Sequence, residues 1–335
     1  MGYGRWTEND WRSYSKENIQ GRQNVEDIYT SRTLHRELDP KGIRFRESCD
    51  SEDNPNSTPV IVGLDVTGSM GFILDNMARE GLKELATEIY DRKPISDPHL
   101  MFMGIGDVKY DRAPLQVTQF EADIRVAEQL TNIYLEKGGG GNCSESYTLP
   151  WYFAAMHTRI DSYDKRGKKG FLFTIGDECI PEEITAQEIE RVLGYRPQFD
   201  KISSKELFRL VSEKYEVFHI VIEEGSYCQR EKNKVMRSWE EIIGQRAILL
   251  RNHRDLARVI VQILESVGSN SNFRKEEYPH VDKSNYAYRY YDTRSYTDLD
   301  RECDNRYRDV DRYSDRANKS VDKKKRKIGF MRFFD

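Results

Sequence analysis

Short apolar runs that alternate with helical patterns constrain the fold of this chain more than any other feature of its sequence. The run over 59–64 (PVIVGL) is short, apolar and rich in β-branched residues, as is typical of a strand buried on both faces. Over 71–92 the apolar residues follow the spacing of a helix, and Pro94 ends it. Such alternation predicts an α/β fold with a doubly wound (Rossmann-like), mostly parallel sheet flanked by helices.

The same alternation continues to about residue 268. Further strands are predicted over 99–105, 115–120 (at a sheet edge), 171–175, 217–222 and 247–250. Helices are predicted over 122–135, 186–193, 205–214 and 256–267, and from the glycine run to about 160, with a kink or a late start at Pro150. We therefore expect one folded domain over 59–268.

The segments on either side of this domain differ from it in composition. Residues 1–58 lack sustained periodicity, which predicts a polar N-terminal arm that ends in a linker. Residues 269–335 are rich in Tyr, Arg and Asp and contain few aliphatic side chains. Because such a segment cannot bury a core, we interpret it as a disordered or extended tail.

Charge and cysteine usage narrow the class of protein. The chain has 57 Asp and Glu residues and 53 Lys and Arg residues, which gives a net charge of -4. This near balance provides no electrostatic argument for a nucleic-acid partner. The five cysteines lack CxxC spacing, which favours reduced thiols in a cytosol over a disulfide framework. The sequence has no apolar signal-peptide core near its start and no run of about 20 apolar residues. We predict a cytoplasmic protein without a membrane span.

Oxygen-bearing side chains are concentrated in three loops that follow predicted strands. Parallel sheets bind ligands beyond the carboxyl ends of their strands, so these loops are where chemistry is expected. The first loop (DVTGS) places one carboxylate and two hydroxyls at alternate positions, namely Asp65, Thr67 and Ser69. The second is the glycine-rich stretch over 138–146, and the third places Asp177 after a buried strand. Hard oxygen ligands suit Mg²⁺ first, with Mn²⁺ or Ca²⁺ as alternatives, and do not suit zinc.

Plainer explanations compete for the same residues. Asp65 could cap the following helix, because Asp, Ser and Thr are all favoured there. That explanation accounts for one such residue but not for three at alternate positions, so a metal site is the preferred interpretation. Asp107 is interpreted as a turn residue, and His99 and His219 as core or edge residues of strands. The glycines lack the Lys and the spacing of a nucleotide-binding loop.

A strand that ends in D-x-S/T-G-S, a glycine-rich second loop and a strand that ends at an Asp together resemble the metal-ion-dependent adhesion site (MIDAS) of von Willebrand factor A-like (VWA) domains. The resemblance covers about 59–268 and extends to prokaryotic and phage intracellular members of the family. It implies a doubly wound α/β domain that holds a divalent metal. The implied ligands are Asp65, Thr67 and Ser69 from the first loop and Asp177, often through water, from the third.

The second loop departs from the family pattern, which typically supplies a Thr. This sequence offers Asn142, Ser144 and Ser146 around Glu145. Prokaryotic relatives with a GGG-D/N-x-x-E loop are similar to it, so the resemblance still implies a metal site. Asn142 and Ser144 are the two candidates that complete the predicted ligand set.

The resemblance implies a binding module and not an enzyme. In the family a partner protein completes the metal coordination with a carboxylate, so we predict a protein partner that presents an acidic residue. Two alternatives stay open. A metal-dependent phosphohydrolase would need a second acid at position 67, where the chain has Thr67, and a phosphoryl-binding Lys that is not evident. An RNA-associated protein could stack bases on the Tyr- and Arg-rich tail, although the many tail aspartates argue against it.

Overall fold

The computed structural model describes residues 4–136 and 145–269, in which strands and helices alternate as predicted. The strands are Arg46–Ser48 (β1), Thr58–Asp65 (β2), Pro98–Ile105 (β3), Leu115–Val117 (β4), Thr158–Ile160 (β5), Gly170–Gly176 (β6), Glu183–Thr185 (β7), Lys201–Ser203 (β8), Tyr215–Ile222 (β9) and Ala247–Leu250 (β10). The helices are Glu8–Asn18 (α1), Val25–Ile28 (α2), Gly71–Asn76 (α3), Leu82–Arg92 (α4), Arg125–Leu130 (α5), Thr148–Met156 (α6), Asp161–Asp164 (α7), Ala186–Leu193 (α8), Ser204–Ser212 (α9), Ser226–Ile243 (α10) and Leu256–Ser269 (α11).

Six of the strands form the central sheet, in the order β10-β9-β6-β2-β3-β4. All neighbouring pairs are parallel except β3 and β4, which are antiparallel at the sheet edge. The chain starts the sheet in its middle, at β2, and winds outward first through β3 and later through β6. The strand order therefore reverses between β2 and β6, where open α/β sheets have their ligand crevice. The predicted fold class is confirmed.

Helices cover both faces of this sheet. Along β2, Val60, Val62 and Leu64 belong to one apolar cluster, which also holds residues of α3, α4 and α11. Ile61 belongs to the opposite cluster, with residues of α6, α9 and α10. All four side chains are 0% exposed. Burial on both faces explains why the strands are continuous apolar runs.

Several predicted elements have different ends in the structure. The predicted helix over 71–92 consists of α3, a π-helical turn over Met77–Gly81 and α4, and it ends at Lys93 in the left-handed conformation (φ 51°). Pro150 is the third residue of α6, which confirms the late start. The expected extension of this helix to 160 is wrong, because Thr158–Ile160 instead pairs with β1 as a parallel strand. The helix predicted over 122–135 is restricted to α5.

Helix α10 was not predicted, although it is 18 residues long. Its buried residues are few and widely spaced among charged ones: Tyr227, Cys228, Val235, Trp239 and Ile243. A narrow apolar stripe of this kind gives a weak periodic signal. The antiparallel pair of β7 and β8 was missed for a similar reason, since each strand has only three residues.

The N-terminal segment differs from its prediction as a polar arm. Residues 4–58 contain α1, α2 and β1, and six of their apolar side chains are buried in the same cluster as one face of the sheet: Trp6, Trp11, Ile19, Ile28, Tyr29 and Leu38. The Tyr29 hydroxyl donates a hydrogen bond to the carbonyl oxygen of Leu74 in α3 at 3.0 Å. These six buried residues are widely spaced among polar ones, so the sequence shows no periodic apolar pattern over this segment. The composition of the chain thus changes at about position 58, but the packed core also includes residues before it.

Within the described ranges, no helix is both long and apolar enough to cross a membrane. Ser269 ends α11. The rest of the predicted disordered tail, 270–335, lies outside the described residues.

Candidate metal centre

The three first-loop residues are brought together at the carboxyl end of β2. Asp65 is the last residue of that strand and is 1% exposed, and Thr67 is also buried, whereas Ser69 is exposed. The Asp65 carboxylate accepts hydrogen bonds at Oδ1 from the Thr67 backbone N–H (2.9 Å) and from the Thr67 hydroxyl (2.6 Å). The hydroxyl oxygens of Thr67 and Ser69 are 3.4 Å apart. A carboxylate and two hydroxyls thus form one oxygen cluster that opens to solvent at Ser69.

Helix capping does not explain the position of Asp65. The helical turn after β2 begins at Gly68, and its N-cap residue is Thr67, whose side chain makes no capping hydrogen bond. Asp65 lies two residues before that N-cap residue. By accepting a hydrogen bond from the Thr67 N–H, it stabilises the loop and not the helix. The alternative that Asp65 caps the following helix is therefore wrong.

Asp177 directly follows β6, the strand next to β2 in the sheet. Its side chain is 0% exposed. Oδ2 accepts a hydrogen bond from the Tyr227 N–H in the first turn of α10 at 2.8 Å, whereas Oδ1 is buried and has no hydrogen-bond partner among the described residues. Gly225 makes room for this carboxylate, since a Cβ there would lie 2.2 Å from the Asp177 Cβ. Oδ2 of Asp177 is thus bound to the backbone of α10, whereas Oδ1 could bind a ligand.

Tyr147 links the first and third loops, and no motif in the sequence predicts it. Its hydroxyl donates a hydrogen bond to Asp65 Oδ2 at 3.3 Å. Its ring packs edge-on against His219 and Trp239, with centroids 5.0 and 5.3 Å away, and is fully buried. Its position depends on how α6 packs on the sheet, which no local pattern in the sequence indicates.

The second loop is described only at its end. Asn142 and Ser144 lie outside the described residues, so their role as ligands stays a prediction. The described part begins at Glu145, which is 2% exposed. The next residue, Ser146, donates from its N–H to the Gly106 carbonyl oxygen (3.2 Å) and accepts at its hydroxyl from the Val108 N–H (2.8 Å). These bonds fix the end of the second loop against the carboxyl end of β3.

Asp107 behaves as the turn residue that the sequence predicted. Its carboxylate accepts a hydrogen bond from the Lys109 N–H at 2.7 Å, and its own N–H donates to Asp111 Oδ2 at 2.7 Å. His99 and His219 are both fully buried in strands, where they pair with the hydroxyls of Ser48 and Thr174. Both histidines are therefore core residues.

Four carboxyl groups around this crevice have raised pKa values, and burial is the largest cause in each case. The pKa of Asp65 is raised to about 7, that of Glu178 to about 7 and that of Glu145 to about 10. The pKa of Asp177 is raised as well. Repulsion between the acids adds to the effect of burial, because Asp65 acts on both Glu145 and Glu178. Arg230 opposes the shifts of Asp177 and Glu178.

The residues present fit a hard divalent cation. Asp177 Oδ1, Glu145 Oε2 and Glu178 Oε2 are buried carboxylate oxygens without hydrogen-bond partners in the described part of the chain. Buried polar atoms are normally satisfied, and oxygens of this kind are ones that a cation can satisfy. Oxygen donors of this type are those that Mg²⁺ and Ca²⁺ prefer. Over 4–136 and 145–269, however, no three His, Cys, Asp or Glu side chains are already arranged to hold a metal. The predicted set instead combines two carboxylates with hydroxyls.

No protein-family model and no curated protein matches this sequence. Among solved structures, the pilus adhesin SpaC from Lactobacillus rhamnosus GG in an open conformation is similar over 65% of this chain and 31% of its own, with 12% identity and a TM-score of 0.41. The conserved hypothetical protein BatB from Bacteroides thetaiotaomicron is similar over 64% of this chain and 100% of its own, with 11% identity and a TM-score of 0.37.

A third similar structure is the vWF domain of the type V pili tip protein Mfa5 from Porphyromonas gingivalis, over 64% of this chain and 95% of that domain, with 10% identity and a TM-score of 0.37. This chain spans about a third of the length of the SpaC adhesin. Identities and TM-scores of this size identify no activity. The fold assignment therefore stands on the strand order of the chain itself.

Proposed function

We propose that this chain is a VWA-like binding module in which a divalent cation, Mg²⁺ first, recognises an acidic residue of a protein partner. One observation carries the proposal: at the point where the strand order reverses, Asp65 and Asp177 are both fully buried and Asp177 Oδ1 has no partner in the described chain. Asp65, Thr67, Ser69 and Asp177 would hold the cation, with Asn142 or Ser144 as the second-loop ligand. A cation at this place would supply a positive charge that an outside carboxylate can coordinate.

The loop over 106–111, which follows β3 and contains the turn at Asp107, offers a partner contact beside the crevice. Tyr110 in this loop is 62% exposed and is the one exposed large hydrophobic side chain in the described part of the chain. Its N–H donates to the Asp107 carbonyl oxygen at 3.3 Å, which holds the loop near the end of β3. Exposed aromatic side chains are over-represented among residues that dominate binding energy. We propose that Tyr110 contacts the partner next to the metal.

We also propose a cytoplasmic location and no enzymatic activity. Thr67 stands where a metal-dependent phosphohydrolase with an Asp nucleophile at position 65 needs its second acid. Its hydroxyl is bound to Asp65 and does not supply a titratable group. We therefore favour binding over hydrolysis.

Isothermal titration of Mg²⁺ and Mn²⁺ into the wild type, Asp65→Ala and Asp91→Ala tests the metal site. Asp91 is a matched control, because it is an exposed acid near the end of α4. We expect binding to the wild type and to Asp91→Ala, and none to Asp65→Ala. Equal heats for all three proteins would rule out the site. Affinity capture with the same proteins, in Mg²⁺ and in EDTA, then tests whether partner binding requires the metal.

A further inference from the structure

Two segments flank the crevice that holds Asp65 and Asp177, and both expose positive charges. The crevice lies at the carboxyl ends of β2 and β6. In the sheet, β3 is the other neighbour of β2, and β9 is the other neighbour of β6. The segments that follow β3 and β9 are the loop over 106–111 and the first turns of α10. A partner bound at the crevice would therefore meet the side chains that these two segments expose.

On the α10 side the rim of the crevice is built around Tyr227. The Tyr227 N–H donates a hydrogen bond to Asp177 Oδ2 at 2.8 Å, which fixes the first turn of α10 against the third loop. The Tyr227 side chain is 6% exposed, and the Arg230 guanidinium and the Lys234 ammonium each lie 5.9 Å from the centroid of its ring. Both cationic residues are exposed. Two positive charges are thus held on one ring beside the crevice.

The acids that directly precede α10 are paired with other residues. Glu223 pairs with Lys232 at 2.5 Å, and Glu224 accepts hydrogen bonds from the backbone N–H and the ring of His253 at 2.6 and 2.9 Å. Within 4–136 and 145–269, Arg230 forms no ion pair. Arg230 and Lys234 also repel each other, because like charges share one ring. A carboxylate from outside would offset this repulsion.

The loop over 106–111 forms the opposite rim. Lys109 is exposed in this loop, and Arg112 is exposed directly after it. The Lys109 N–H donates to the Asp107 carboxylate at 2.7 Å, and the Arg112 N–H donates to Glu136 Oε1 at 2.8 Å. Asp107 and Glu136 are buried, so these two acids hold the backbone while the cationic side chains are exposed. Positive charge therefore lies on both sides of the crevice.

We propose that the crevice recognises an acidic segment of the partner, in which one acid reaches the metal and its neighbours contact the cations of the rim. The inference rests on the proposed function, because the metal-bound acid sets the place of the segment. Complementary charge of this kind steers association and selects among partners. The net charge of -4 does not favour a long polyanion such as nucleic acid. A partner with one isolated acid would bind less tightly.

Peptide binding to the Mg²⁺-loaded full chain, followed by fluorescence anisotropy, tests the inference. The probes are labelled peptides of equal length, one of six aspartates and one with a single aspartate among serines. The proteins are the wild type, a double variant that combines Arg230→Glu with Lys234→Glu, and the control Lys168→Glu. Lys168 is an exposed cation two residues before β6, at the opposite end of that strand from Asp177.

The wild type should bind the six-aspartate peptide more tightly than the single-aspartate peptide. We expect the double variant to bind the six-aspartate peptide about tenfold or more weakly, since an exposed charge pair contributes up to about fivefold and reversal adds repulsion. Its affinity for the single-aspartate peptide should change by less than about threefold. Lys168→Glu should bind both peptides as the wild type does. Circular dichroism establishes that each variant is folded.

Equal affinities of the wild type for the two peptides, or binding of neither, would overturn the inference. Unchanged six-aspartate affinity in the double variant would do the same, and so would a labelled oligothymidine that binds as tightly as that peptide. In each of these cases the proposed metal site stands if Mg²⁺ titration gives binding to the wild type and none to Asp65→Ala. Six-aspartate binding that is equal in Mg²⁺ and EDTA would overturn metal-dependent recognition and this inference with it.

Discussion

The hydroxyl oxygen of Tyr147 occupies the space that any side chain at Gly176 would need, because a Cβ there would lie 1.8 Å from it. Gly176 ends β6, directly before Asp177, and Tyr147 donates a hydrogen bond to Asp65. The close approach therefore joins the ends of the two strands between which the strand order reverses. Glycine is needed at position 176 because the Tyr147 hydroxyl of the site lies there, and not because the strand backbone requires it.

Gly176→Ala should destabilise the protein, because the new methyl group must displace Tyr147 from Asp65. Overpacking of a filled core costs about 1 to 3 kcal/mol, and the lost hydrogen bond adds to this. Urea unfolding of the metal-free protein measures the change. Gly42→Ala is the matched control, since Gly42 is exposed and a Cβ there would meet no atom within 4 Å. Equal midpoints for the two variants would contradict the prediction.

Tyr147→Phe should weaken metal binding while the fold is retained. The hydroxyl lowers the pKa of Asp65 by donating to it, so without the hydroxyl the carboxylate holds its proton more firmly and competes less well for a cation. We expect an affinity loss of about tenfold, the lower end of the range for an outer partner of a metal ligand. Isothermal titration with Mg²⁺ measures it.

Tyr152→Phe is the control for this change. Tyr152 lies in α6, the helix that Tyr147 precedes as its N-cap residue, and is also fully buried. Its hydroxyl bonds to the Tyr195 hydroxyl at 2.9 Å and not to an acid. It should lose about 1 kcal/mol of stability and no metal affinity. Equal Mg²⁺ affinities for the two variants would show that the Tyr147 hydroxyl does not act on Asp65.

The parts of the fold that sequence could predict are those with a local signature. β2 and β6 are buried on both faces, so they are unbroken apolar runs that no helix pattern imitates. The first loop was recognisable for the same reason, because Asp65, Thr67 and Ser69 lie within five residues of one another. Asp177 could be found because it directly follows a strand of this kind.

The remaining parts depend on contacts between distant segments. Tyr147 reaches Asp65 only because α6 packs on the sheet, 82 residues away along the chain. Glu145 is buried because Ser146 is tied to the end of β3. The N-terminal segment is anchored by side chains such as Trp11 and Tyr29 that are isolated among polar residues. Each of these features depends on packing between segments that are far apart in the chain, so no short stretch of sequence can predict it.

The stability of the metal-free protein should decrease as pH rises from about 4 to about 7. The pKa of Asp65 is about 7 in the folded state against an ordinary value of 3.8, so across this window the folded protein holds a proton that the unfolded chain has released. Stability then falls with pH, and Glu178 acts in the same direction. A bound cation favours the ionised carboxylates, so the stabilisation by Mg²⁺ should grow over the same window.

Thermal unfolding at pH 5.5 and pH 8, in EDTA and in Mg²⁺, measures both effects. The difference in Tm between Mg²⁺ and EDTA should be larger at pH 8. Asp65→Asn cannot titrate at this position, so its Tm in EDTA should depend less on pH. A Mg²⁺ effect that is larger at pH 5.5 would contradict the assignment of these acids to the metal.

Trp11→Ala should destabilise the whole α/β domain, because α1 is anchored in the core that covers one face of the sheet. The Trp11 side chain is 5% exposed, and its ring lies 5.6 Å from that of Trp6 between centroids. Removal of a buried Trp costs about 3 to 5 kcal/mol. Tyr110→Ala, which truncates an exposed aromatic side chain, should change stability by no more than about 0.5 kcal/mol. Urea unfolding followed by circular dichroism compares the two. If residues 4–58 were a separate polar arm, both variants would unfold at the wild-type midpoint, whereas a packed segment requires that only Trp11→Ala shifts it.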